Sequence, residues 1–161
     1  MSRAGTPERL PDYRFKLIRC RRLTIMWKHF HHEADIGVEG RGSSREAAFE
    51  EAAVALTAVI TGPDTVRCRE SVTIECEAPD LELLFVDWLN ALVYEMATRR
   101  MLFCRYKVGL DGTRLHATAC GEAIEVARHQ PAAEVKGATY TELQVREDPP
   151  GEWRARCVVD V

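Results

Sequence analysis

Residues 103–120, FCRYKVGLDGTRLHATAC, alternate apolar and polar side chains on both sides of Asp111-Gly112. Period-two alternation marks a strand with one buried face. Asp-Gly between two such runs marks a hairpin turn, since glycine reaches positive φ at no steric cost. The stretch predicts antiparallel strands over 103–110 and 114–120.

Residues 134–146 and 153–161 flank Asp148-Pro149-Pro150-Gly151 and read as a second hairpin. Upstream, Val72, Ile74 and Cys76 alternate as a strand, and 27–32 and 36–42 read as two more. Two segments carry the helical period instead. Phe49, Ala52, Ala53, Leu56, Val59 and Ile60 form one apolar stripe, with Ser43 and Glu46 as a capping box and Gly62-Pro63 as the stop. Leu81, Leu84, Phe85, Trp88, Leu92 and Met96 form another. Asp80 is its N-cap, and Arg99 and Arg100 suit the negative pole of its macrodipole. The expected class is α/β of the α+β type: a single two-layer domain, two main helices packed on a mixed, largely antiparallel sheet of about six or seven strands.

The chain has 161 residues, 46% hydrophobic and 29% charged, which fits one globular domain and argues against wholesale disorder. Residues 1–25 stand apart: they show no hydrophobic period and hold seven Lys/Arg against two acidic residues, a net +5. That leaves 15 basic and 23 acidic residues, a net −8, for 26–161. Residues 1–25 read as a disordered basic extension, with Met26 as a candidate start and 26–161 as the domain. An acidic body is a poor partner for a phosphate backbone, so direct nucleic-acid binding by it is disfavoured. No apolar run approaches the ~20 residues of a membrane span, and no secretory apolar core is present, so a cytoplasmic location is expected. The six cysteines (Cys20, Cys68, Cys76, Cys104, Cys120, Cys157) show no CxxC spacing and are expected to be reduced, most as small core residues.

No Walker loop, GxGxxG, HExxH, nucleophile elbow or EF-hand loop is present, so function must rest on dispersed residues. Asp87 reads as a helix-surface carboxylate. His129 sits in an expected loop as a solvated or site histidine, and Lys136 opens a strand. The stretch HHEADIGVEG, residues 31–40, crowds His31, His32, Glu33 and Asp35 before an alternating run. Asp160 interrupts the last apolar strand one residue before the Val161 terminus. If the last strand returns beside the first two, the Asp35 and Asp160 side chains and the Val161 carboxylate converge as hard oxygen donors. Such groups suit Ca²⁺, Mg²⁺ or Mn²⁺, and close carboxylates repel unless they share a cation. A plain polar turn remains the alternative.

The ordered set His32-Glu33-Ala34-Asp35-Ile36-Gly37, Asp87-Trp88-Leu89-Asn90, Arg128-His129, the run from Glu134 to Tyr140 and the ending Val159-Asp160-Val161 resembles the archease family from about Trp27 to the last residue. The resemblance implies a metal site on Asp35, Asp160 and Val161; the residues themselves add His32, His129 and Lys136 as further candidates, and the oxygen donors favour Ca²⁺. It implies a non-catalytic activator of an RtcB-type RNA ligase, acting in tRNA splicing and RNA repair. The alternative it carries is a chaperone-like specificity factor for a tRNA methyltransferase.

Overall fold

Gly112, at φ +58°, turns the chain between two paired strands in the computed structural model, which describes residues 26–148 and 151–161. The expected basic extension, 1–25, lies outside the described residues. The strands are β4 (Met101–Asp111) and β5 (Arg114–Ala123), closed by the pair Asp111↔Arg114. β3 (Glu70–Glu77) pairs with the far edge of β5, giving a three-stranded sheet β3-β5-β4.

A second sheet holds β1 (Trp27–His32), β2 (Asp35–Gly42), β6 (Gly137–Ala138), β7 (Gln144–Asp148) and β8 (Glu152–Asp160). Its order is β1-β2-β8-β6, and β7 pairs with β8 beside β6. Every recorded pair in both sheets is antiparallel. Helices α1 (Arg45–Ile60) and α2 (Leu81–Arg99) each touch both sheets. A short α3 (Val126–His129) follows β5.

Alternation decides which side of the five-stranded sheet meets the helices. Val38 and Gly40 of β2, with their partners Cys157 and Ala155 of β8, turn toward α1 and are fully or nearly buried. A Cβ on Gly40 would sit 2.2 Å from both Ala48 O and Ala52 N, so glycine there is what lets α1 lie this close. Phe49, Leu56, Leu84, Phe85, Trp88, Leu89, Leu92 and Phe103 have essentially no exposed surface and form the centre of the core. Burying each such side chain contributes roughly 1.5–3 kcal/mol. Two α1 side chains complete the free edge of β4: Glu50 accepts from Val108 N at 2.9 Å, and Thr57 Oγ1 donates to Phe103 O at 2.8 Å. An exposed strand edge is thereby closed without another strand.

The α+β class, both helices and Asp80 as the α2 cap (2.8 Å to Leu83 N) are as expected. Four details differ. The cap of α1 is Ser44, not Ser43; its Oγ accepts from Ala47 N at 3.1 Å, so Glu46 stands too early to close a capping box. The strands divide into two sheets rather than one, because α1 and α2 present apolar surface to both. The segment 134–146 is not one strand: β6 and β7 are separated by a turn in which Glu142 takes φ +54°. And the cysteines are not all reduced. Cys68 and Cys120, 52 residues apart, form a disulfide with Cα atoms 5.1 Å apart, while Cys76, Cys104 and Cys157 are free. The register Ser71↔Cys120 brings the residues before β3 alongside β5, which spacing in the chain does not reveal.

Candidate functional site

One row of residues crosses the five-stranded sheet at the end where the chain terminates. His32 of β1 pairs with Asp35 of β2. Ile36 pairs with Val159 of β8, and one further step in that register brings Asp35 opposite Asp160. Asp160 in turn pairs with Gly137 of β6. Directly opposed residues of an antiparallel pair project to the same face. Since Val38 and Gly40 face α1, the alternation puts His32, Asp35 and Asp160 on the opposite face.

The chain end is held by contacts of both kinds. The Val161 side chain packs against the core, and its N–H donates to Asp35 Oδ1 at a long 3.5 Å. Lys136 N–H donates to Asp160 O at 2.8 Å. Asp35, His32 and Val161 are half-buried, while Asp160 and Lys136 are exposed. The last strand lies beside β2, and β1 lies on the other side of β2. Among the described residues, no three His, Cys, Asp or Glu side chains gather closely enough to hold a metal ion. The row offers the Asp35 and Asp160 carboxylates beside the His32 imidazole, and hard oxygens of that kind suit a divalent cation.

The rest of the crowded HHEADIGVEG stretch has other work. Glu33 occupies the β1–β2 turn at φ +52° and is exposed. His31 pairs with Ile36, one position out of phase with the row. Farther along the outer face, Glu39 is completely buried and accepts from Arg41 Nε at 2.8 Å; Lys28 and Arg156 each lie 3.5 Å away. Arg156 also stacks over the Phe30 ring at 4.1 Å.

His129 does not join the row. Its Nδ1 accepts from Glu125 N at 2.8 Å, which leaves Nε2–H to donate to Glu122 Oε1 at 3.0 Å. Glu122, on β5, also accepts from Arg128 Nη1 at 2.7 Å and from Arg67 N at 2.9 Å. The Arg128 guanidinium holds the Glu122 carboxyl far below the usual carboxylate range against the opposing effect of burial, helped by the Arg67 N–H and His129. This buried network ties α3 and the segment before β3 to the end of β5. Asp87 is exposed on α2, as expected of a surface carboxylate. Asn90, three residues on, has a structural part that the sequence does not assign to it. Its Oδ1 accepts from Ala138 N at 2.8 Å and its Nδ2 donates to Ala138 O at 3.4 Å. A polar residue of modest helix propensity in the middle of α2 was the signal.

Comparison with known proteins is consistent across sequence and structure. Residues 27–161 match the model of the Archease protein family (MTH1598/TM1083). The chain is 37% identical over 139 residues to Protein archease of Thermococcus gammatolerans, covering 84% of this chain and 98% of that one. It is 32% identical over 142 residues to Protein archease of Methanosarcina barkeri, covering 84% and 95%. The solution structure of Methanobacterium thermoautotrophicum protein 1598 superposes with a TM-score of 0.74 at 29% identity, covering 85% of this chain and 99% of that one.

Proposed function

The chain belongs to the archease family, and from that premise we propose that it is a metal-binding, non-catalytic activator of an RtcB-type RNA ligase. In this reading it promotes guanylylation of the ligase and supports repeated turnover in tRNA splicing and RNA repair. The observation that carries the proposal is the pairing of β2 with β8, which sets Asp35 beside Asp160 and the chain terminus.

Asp35 and Asp160 would supply side-chain oxygens, and apolar packing of Val161 fixes where the terminal carboxylate stands. Ca²⁺ is the favoured ion, with Mg²⁺ or Mn²⁺ as alternatives, because all the donors are hard oxygens. When bound, the cation supplies a positive centre with coordination positions left over for water or for oxygens of the partner. His32 stands in the row as an imidazole, and the exposed Lys136 borders it as a cation. These groups bind and orient; none is a nucleophile set beside a base. The net charge of −8 over residues 26–161 favours docking on a basic, RNA-holding ligase over direct contact with RNA, and the setting is the cytoplasm.

The test is the yield of guanylylated ligase with and without a stoichiometric amount of this chain. Stimulation that disappears in Asp35→Ala and Asp160→Ala supports the proposal. Equal yields with and without the wild-type chain would remove it. Recovery of a tRNA methyltransferase instead of a ligase from the native host would favour the specificity-factor reading.

A further inference from the structure

β6 is only two residues long, yet it is what Asp160 pairs with on the side away from β2. Its inner side is bonded to β8: Lys136 N–H donates to Asp160 O at 2.8 Å, and Thr139 N–H and Oγ1 both donate to Val158 O, at 2.9 and 2.8 Å. Its outer side is an edge. There Ala138 presents an N–H and a C=O that no further strand among the described residues takes up, and a half-buried edge group left unpaired is costly. α2 packs against this edge, and Asn90 meets both groups with one side chain. A carboxamide carries a carbonyl and an NH₂ on one carbon, the same donor and acceptor pair as the peptide of a neighbouring strand. Gly137 allows the approach: a Cβ there would lie 3.1 Å from Asn90 Oδ1.

We propose that Asn90 is the positioning residue for the C-terminal half of the metal row, holding β6 so that Lys136 and Asp160 stay in register with Asp35. The inference rests on the metal reading for its consequence but not for its geometry. Without the carboxamide, β6 keeps bonds on one side only. The Lys136 N–H to Asp160 O bond is then the first to open, and the terminal carboxylates lose their fixed distance from Asp35. α2 itself should persist, because alanine is the better helix former at that position.

Three variants in the full-length chain test this: Asn90→Ala, Asn90→Asp, which keeps an acceptor for Ala138 N–H but loses the donor to Ala138 O, and Leu92→Val as a core control. Amide exchange at Lys136 and Ala138 reads the geometry directly. Calcium titration reads its consequence. Asn90→Ala should lose protection at both amides and weaken Ca²⁺ binding by about tenfold, the low end for residues that support metal ligands. Asn90→Asp should fall between Asn90→Ala and wild type. Leu92→Val should lower the melting temperature without changing Ca²⁺ affinity or either amide. Unchanged protection at Lys136 and Ala138 in Asn90→Ala would overturn the proposal, as would Leu92→Val weakening Ca²⁺ to the same degree. If wild type binds no Ca²⁺, the metal reading fails alone, and the amide measurements still decide whether Asn90 holds this end of the sheet.

Discussion

The Val161 N–H donates to Asp35 Oδ1 at 3.5 Å, across 126 positions of chain. Two residues so distant in sequence meet because β8 lies beside β2 in the register Ile36↔Val159. Val161 thereby follows directly on the last strand, with its side chain packed against the core. If this meeting makes the site, the chain end matters chemically and not only structurally. Asp35→Ala, Asp160→Ala and a one-residue extension after Val161 should each abolish ligase activation while shifting the melting temperature by only a few degrees. The extension changes no side chain, so full activity in the extended protein removes Val161 from the site.

The Cys68–Cys120 bridge closes a separation of 52 residues. On the chain-entropy account a loop of that size contributes roughly 4 kcal/mol, on the order of ten degrees in melting temperature. Cys68→Ser with Cys120→Ser, or excess dithiol reductant on the wild type, should lower the melting temperature by up to that amount. Reductant should leave the double variant unchanged. Of the free thiols among the described residues, Cys157 is the one burial pushes up to about 12. It should therefore react with alkylating reagents far more slowly than Cys104 in the native protein, and rates within a factor of two would contradict its burial.

Trp88 is fully buried, donates from Nε1 to Phe49 O at 3.2 Å and meets Tyr106 edge-on at 6.1 Å. Trp88→Ala should cost ~3–5 kcal/mol by lost burial and cavity formation. Urea denaturation gives the number directly. A loss below 1 kcal/mol would show that the surrounding side chains collapse into the space.

Glu122 sets part of the acid limit of stability. Its carboxyl is depressed chiefly by Arg128, so folding is favoured by its ionised form. That contribution is complete above the ordinary carboxylate value of ~4.3 and is lost as pH falls below it toward the depressed native value. Glu122→Gln should be less stable than wild type at pH 7 and should show a flatter loss between about pH 4.5 and pH 2. Parallel stability curves for the two proteins over that range would refute this role.

Much of the fold could be read along the chain because the signals involved are local. Asp80 precedes the stripe it caps, Gly112 stands where the backbone needs φ +58°, and Val72 and Ile74 alternate within their own strand. Each acts through neighbours a few residues away, so sequence order preserves it. The cap of α1 shows the limit even here: the adjacent Ser43 and Ser44 offer the same oxygen, and only the backbone path selects Ser44.

Tertiary structure decided what depends on strands meeting across the chain. The partition into two sheets depends on which surfaces α1 and α2 cover, and the breaking of 134–146 into β6 and β7 on how β8 is shared. The Cys68–Cys120 bond follows from the β3–β5 register. His129 has the sequence of a loop histidine, and only packing against Glu122 turns it into a buried donor. Asp35 and Asp160 could be nominated from their chemistry, but chemistry carries no distance. Their opposition is a product of antiparallel pairing between the second strand and the last.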